Sequence, residues 1–283
     1  MKKNINYLAK HPVAIGGIGG SGTRLVANIV RYLGYHIGSD LNVPLDNLWF
    51  TFLFRRPELM DISKFEIEQR LEIFISRMKN IPNSHNKTTK LIDQLSSIRL
   101  KPFPPEWPKA RAKTLTKIDE NLVYPYAWGW KEPNTHILIN NIMSYIPNIK
   151  YIHVMRNGLD MAFSKNQNQA RMWGKHYLGE DFINTPAYSL RYWRITHERI
   201  TGYLDTYPDQ IYILNYDKLC ESPLSEIAKI LKFLEFEFND SQLDELSTLV
   251  SKPNSTGRFK THNISDFDLD DVRFVKNLGF NIN

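Results

Sequence analysis

"AIGGIGGSGTRLVANIV" occupies residues 14–30, and its reading decides the fold. It sets five glycines, Gly16, Gly17, Gly19, Gly20 and Gly22, between an apolar start and an apolar run with helical spacing. Glycine loses more backbone freedom on folding than any other residue, so such a cluster signals positive φ angles or close approach to the backbone. "PVAIGGI" reads as a short buried strand. "GTRLVANIVRYLGY" reads as an amphipathic helix with Leu25, Ile29 and Leu33 on one face and Gly34 as its stop. A strand, a glycine turn and a helix in that order form a nest of backbone N–H groups backed by the helix's positive end, which suits a phosphate.

Gly17 and Gly22 have the G-x-x-x-x-G spacing of a phosphate-binding P-loop. A nucleotide hydrolase or kinase would continue with Lys at 23 and Ser or Thr at 24, but this chain has Thr23 and Arg24. The γ-phosphate and magnesium apparatus is therefore incomplete, while the Ser21 and Thr23 hydroxyls remain as donors to phosphate oxygens. A dinucleotide fingerprint fits more loosely, because Asp40 lacks the context of a ribose-binding acid. A tight glycine turn packed under a helix is the ligand-free alternative.

A second anion-binding pattern lies in "YIHVMRNGLDMAFSKNQ" (151–167). The strand "IKYIHVMR" ends at Arg156, Asn157 can cap the next helix, and Ser164 follows nearly two turns on, sharing a face with Asn157. An arginine fork and a serine hydroxyl can grip one phosphate from two directions. The alternative is an Arg156–Asp160 ion pair. With the glycine loop present as well, a ligand with two separated phosphates is the better reading.

Here the chain resembles the sulfotransferases that use 3'-phosphoadenosine 5'-phosphosulfate. "GGSGTRL" (19–25) looks like their 5'-phosphosulfate loop, and Arg156 and Ser164 in "VMRNGLDMAFS" (154–164) look like their 3'-phosphate segment. "STGRFKTH" (255–262) is similar to the late loop that closes over the nucleotide, with Gly257, Arg258 and Lys260 as contacts. "YDKLCESP" (216–223) and "WKEPNT" (130–135) match further family segments. The resemblance implies donor contacts from Gly19, Gly20, Ser21, Gly22, Thr23 and Arg24. It implies no metal and an acceptor that is a small molecule or glycan. Gly20 stands where members commonly carry Lys or Arg, so Arg24 or Lys131 is the expected substitute. For the general base the position of Asp40 matches the Golgi-type glutamate, with Asp46, Glu132 and His136 as rivals. His136 is expected to point outward, and His262 to belong to the closing loop. The other readings kept open are a P-loop small-molecule kinase and a catalytically inactive nucleotide-binding protein.

The expected fold is α/β: a three-layer α/β/α P-loop NTPase-like sulfotransferase fold with a central parallel sheet, because short apolar strands alternate with long helices. Residues 1–283 are expected to form one domain with a helical, Pro-rich insertion at about 45–125. Strands are expected at "YHIGSDLN", "YAWGWKEP" and "IYILNY", and helices at 45–54, 62–79, 88–99, 134–146, 186–205 and 223–234. Ser222 should cap the last of these. "KPFPPEWPKARAK" (101–113) is expected to be irregular, with four prolines in its first eight residues. Aromatic clusters offer Trp49, Phe50 and Trp128 as acceptor-pocket candidates.

Lys and Arg exceed Asp and Glu by 36 to 30, a net charge of +6 that suits an anionic ligand but is too diffuse to indicate nucleic acid. The single cysteine, Cys220, excludes an internal disulfide or thiolate cluster and is expected to be a small buried residue in a reducing compartment. "MKKNINYLAKHP" lacks a signal-peptide core and no apolar run approaches a membrane span, so the cytoplasm is the expected location.

Overall fold

The computed structural model describes residues 11–82, 86–120, 122 and 127–282. Four parallel strands form one sheet in the order β2-β1-β3-β4: β1 Val13–Gly17, β2 Gly129–Lys131, β3 Lys150–Met155 and β4 Ile211–Asn215. Ile15 pairs with Lys131 on one side of β1, and Gly17 pairs with Val154 on the other. Tyr151 pairs with Ile211. The turns that follow β1, β2 and β3 therefore leave the same, carboxyl-terminal edge.

Alternation along the strands sorts side chains into two cores. Val13, Ile15, Ile152, Val154 and Leu214 join a cluster with α1 (Thr23–Tyr32). Ala14, Tyr151 and Met155 join the larger cluster beneath α2 (Leu48–Phe54), α3 (Lys64–Met78) and the helices after β3. Helices α4 (Asn86–Ser97) and α5 (Trp107–Thr116) extend that side before β2, and α6 (Ile139–Tyr145) follows it. The chain leaves β3 through α7 (Gly158–Ala162), α8 (Asn168–Leu178) and α9 (Pro186–Thr201). After β4 come α10 (Tyr216–Glu221), α11 (Pro223–Phe233), α12 (Asp240–Ser247) and α13 (Leu269–Asn277). The result is a three-layer α/β/α fold. Burial of Val26, Ile29 and Val30 fastens α1 to the sheet, each contributing about 1.5–3 kcal/mol relative to exposure.

The helix after β1 and the helices after β3 pack on opposite faces of the sheet. Their connecting turns thus diverge, and a crevice opens between adjacent strands at the switch point where such folds bind ligands.

Several expectations need correction. "YHIGSDLN" forms only two isolated bridges, His36 to Trp128 and Leu41 to Asn47, and no strand. The Pro-rich stretch becomes helical at Trp107, with Pro108 tolerated in the first turn where its missing N–H costs nothing. Segment 134–146 divides into a 3₁₀ turn, Pro133–Leu138, and α6. Ser222 stands at the start of α11 without a capping hydrogen bond from its side chain. Cys220 is half-buried rather than buried. His136 is fully buried, not outward, because Arg199 and Gln169 give its ring nitrogens partners inside the core. The N-terminal segment read for a signal sequence lies outside the described residues up to Lys10, as do Tyr124 and Tyr126 of the aromatic cluster.

Candidate functional site

The turn after β1 is held by three positive φ angles: Gly17 at 148°, Gly20 at 97° and Gly22 at 103°. Two of these glycines are also sterically required. A Cβ on Gly17 would lie 2.4 Å from the Val154 carbonyl oxygen, and one on Gly22 would lie 2.1 Å from the Tyr216 ring. Gly22 opens α1 without a side-chain cap, and the first turn carries no acidic residue. The leading N–H groups thus meet no competing anion. Ser21 is 1% exposed, and its hydroxyl has no partner among the described residues.

The segment after β3 comes directly against this turn. A Cβ built on Gly20 would sit 3.8 Å from Ser164 Oγ, and one on Gly19 would sit 2.9 Å from Asn166 Nδ2. Arg156 is buried at the strand end, donates to Ser255 Oγ at 2.9 Å, and leaves its Nε unpartnered. Its contact with Asp160 is long, 3.9 Å. Asp160 is instead committed to the late loop, accepting from the backbone N–H of Gly257 (2.8 Å) and of Phe259 (3.2 Å). Gly257 has φ 75°, Arg258 donates to the Phe163 carbonyl, and His262 stacks on Phe163 at 4.1 Å. Lys260 is exposed on the same loop. Glycine turn, Arg156–Ser164 segment and 255–262 loop therefore come together at one edge of the sheet.

The residues expected to act on the transferred group are more scattered. Arg24 is exposed in the first turn of α1. Lys131, 2% exposed, donates to Asp46 and to the Pro44 carbonyl. Asp40 accepts from Thr114 Oγ1 at 2.5 Å and pairs with Arg111 at 3.0 Å. It lines a cleft of about 420 Å³ with Trp49 and Arg77, away from the glycine turn. Phe50 is core, and Trp128 is nearly so.

The cleft that does include Gly19 measures about 220 Å³ and brings in Asp46, Arg55, Glu132 and Gln169. Glu132 caps the Pro133 turn, accepting from Asn134 N at 2.6 Å and Asn134 Nδ2 at 2.9 Å. Burial and the nearby Asp46 charge hold its carboxyl well above the usual carboxylate range, against the opposing pull of Asn134 and Arg55. Arg55 is half-buried, and burial lowers its pKa. Gln169 ties the site to the core: its Nε2 donates to the Gly17 carbonyl at 3.2 Å, and its Oε1 meets His136 at 3.4 Å. No group of three or more His, Cys, Asp or Glu arranged to hold a metal occurs among the described residues. Nor is any described helix long and apolar enough to cross a membrane.

The model of the sulfotransferase family matches residues 12–240. The chain belongs to the sulfotransferase family. The matched span includes the glycine turn, Glu132 and the Arg156–Ser164 segment. An uncharacterized protein of Aquifex aeolicus (strain VF5) is 27% identical over 180 residues, covering 56% of this chain and 22% of the relative. The chain thus spans about a fifth of the length of that curated relative. Among solved structures, the sulfotransferase domain of the Synechococcus PCC 7002 olefin synthase superposes with a TM-score of 0.51 at 14% identity, over 97% of both chains. The sulfotransferase domain from the curacin biosynthetic pathway gives 0.50 at 16% identity, over 96% of this chain and 99% of that one. At these identities the likeness concerns the fold.

Within this sulfotransferase-family chain, three residues carry more than the sequence suggested. Tyr216 wedges between the glycine turn and the Arg156–Ser164 segment, against Gly22 and 5.7 Å from the Arg156 guanidinium. Asp217 accepts from Asn157 N at 2.9 Å, fixing the turn after β3. Arg55 reaches the Glu132 cleft from α2's end. The first two lie in "YDKLCESP", whose strand-end position was a usable signal; nothing local marks Arg55.

Proposed function

We propose that this chain transfers a sulfuryl group from 3'-phosphoadenosine 5'-phosphosulfate to an acceptor hydroxyl or amine. The observation that carries the reading is the meeting of Gly20 with Ser164 at the switch point between β1 and β3. One nucleotide can then span a 5' site at Gly19–Arg24 and a 3' site at Arg156 and Ser164. The partnerless Ser21 hydroxyl, the uncapped start of α1 and the free Arg156 Nε fit a phosphorylated ligand at both ends. The donor supplies a sulfuryl group on an anionic leaving oxygen.

The chain's own residues do the rest. The backbone N–H groups of residues 19–24 stabilise charge shifting onto that oxygen, with Arg24 as a flanking cation in place of a side chain at Gly20. Lys131, held by Asp46, contributes its positive field from the end of β2. Gly257, Arg258 and Lys260 close over the nucleotide and exclude water. Of the rival bases, Glu132 is favoured over Asp40 because it shares a cleft with Gly19 and has the raised proton affinity a general base needs near neutral pH. It takes the acceptor's proton as the new sulfur–oxygen or sulfur–nitrogen bond forms and the bond from sulfur to the 5'-phosphate oxygen breaks, adenosine 3',5'-bisphosphate leaving with the electron pair. This scheme asks for no metal ion. Helices α2 to α5 belong to the same domain as a helical excursion that walls the acceptor side.

Titration calorimetry with adenosine 3',5'-bisphosphate and with ATP, each with and without magnesium, tests the reading. Tight, magnesium-independent binding of the bisphosphate is expected. Magnesium-dependent preference for ATP would replace the sulfotransferase reading with a kinase one. Bisphosphate binding with no transfer to a broad acceptor panel would mark an inactive relative.

A further inference from the structure

The Glu132 cleft does not end at Glu132. Arg55, Pro102 and Asn168 line both it and a neighbouring cleft of about 580 Å³, so the two communicate. The second cleft has an apolar floor in Leu100 and Met172 and four cations on its walls, Arg55, Arg99, Lys101 and Arg171. No acidic side chain lines it.

These four cations differ from the ion-paired arginines of the chain. Arg56, Arg70, Arg111, Arg194 and Arg273 each lie within ion-pairing distance of a carboxylate. Among the described residues none of the cleft's four does. Arg171 is placed over the Phe182 ring at 5.1 Å, and Arg55 lies over the Phe103 ring at 5.4 Å, with Glu132 and Asp46 acting on it only from the adjoining cleft. Arg99, Lys101 and Arg171 are exposed around it and Arg55 is half-buried, so like charges gathered about one concavity add up to a positive potential there. The Asp40 cleft, by contrast, mixes Arg77 and Lys117 with Asp40, Asp119 and Glu120 and has no such bias.

We propose that this basic, apolar-floored cleft selects an acceptor carrying a fixed anionic group, such as a carboxylate or phosphate, on an apolar body. The reactive hydroxyl or amine then points through the Arg55 opening toward Glu132 and Gly19. The inference rests on the sulfotransferase reading for that orientation. The charge preference itself rests only on the cleft.

The test is a titration of three matched probes, 4-hydroxyphenylacetate, 4-hydroxybenzylphosphonate and the neutral 4-hydroxyphenylacetamide, against the protein with and without adenosine 3',5'-bisphosphate. The two anions are expected to bind about tenfold or more tightly than the amide at low salt, with the gap narrowing at high salt. The relative strength of carboxylate and phosphonate identifies which anion the cleft prefers. Arg99→Glu with Arg171→Glu should abolish the gap, and the milder Arg99→Gln with Arg171→Gln should reduce it, both without changing nucleotide affinity. Equal binding of anion and amide, binding of none of the three, or a gap untouched in a folded variant overturns the proposal. Failure of the nucleotide to bind would instead sink the donor reading, leaving the probe comparison to decide the charge preference separately.

Discussion

Replacing Arg156 with alanine should separate the two ends of the nucleotide site. The guanidinium is 6% exposed, holds Ser255 at 2.9 Å and keeps one nitrogen free for a ligand. Exposed ion pairs contribute a kcal/mol or less, but a desolvated, hydrogen-bonded charge pair contributes about 2–5 kcal/mol. At 1.4 kcal/mol per decade the expected loss for adenosine 3',5'-bisphosphate is roughly 30- to 4,000-fold in Kd. Adenosine 5'-monophosphate lacks the 3'-phosphate, so its affinity should change by no more than about twofold. The fold should tolerate the change. Asp160 retains its two backbone donors, and the lost Ser255 bond contributes about 1 kcal/mol. Calorimetric titration of both nucleotides into both proteins, with thermal melts as the folding control, measures this. An unchanged bisphosphate Kd, or equal losses for the two nucleotides, would refute the assignment of Arg156 to the 3' end.

Three further outcomes follow from the geometry. Glu132→Gln should lower kcat by about 10²- to 10⁴-fold with nucleotide affinity unchanged, as steady-state kinetics beside calorimetry can show; full turnover would remove Glu132 as base. Gly22→Ala forces a Cβ against the Tyr216 ring at positive φ, so thermal unfolding should reveal a loss of about 2–5 kcal/mol; a wild-type melt would contradict the packing. Stability should also fall on acidification. His136, His153 and His197 are fully buried, and burial holds all three below the ordinary histidine value, His197 at about 3. The unfolded chain, with histidine near 6.5, therefore binds more protons. Stability is fully present above about pH 6.5 and is lost as pH falls toward 3, with roughly 2 kcal/mol from His197 alone between pH 7 and pH 5. Denaturant titrations across that range should show the slope, and His197→Gln should flatten it; equal stability at pH 5 and pH 7 would contradict neutral burial.

The sheet was legible because its strands carry strong local signals. Residues 13–17, 150–155 and 211–215 are dense apolar runs ended by glycine, arginine or asparagine, and each formed a strand. The expected strand at 35–42 failed because it makes only two isolated bridges, to Trp128 and Asn47, while its apolar residues serve the α1 core, with no partner strand to complete a ladder. The juxtaposition of the glycine turn and the Arg156–Ser164 segment was readable since each follows a strand directly and the order of strands fixes which edge they share. The acceptor side was not. Asp40 and Glu132 lie equally near strand ends in sequence, and only the packing of α2 and α5 turns Asp40 toward Arg111 and leaves Glu132 beside Gly19. Arg55 and Arg171 lie far apart along the chain on different helices, so their shared cleft has no local signature. Neither does the burial of His136, which depends on Arg199 sixty-three residues away.

The most direct measurement is a crystal structure of the protein soaked with adenosine 3',5'-bisphosphate. The 5'-phosphate is expected on the N–H groups of residues 19–24 and the 3'-phosphate on Arg156 and Ser164, with the Glu132 cleft facing the 5' end. A nucleotide bound at only one of these places, or with its phosphates exchanged, would contradict that placement.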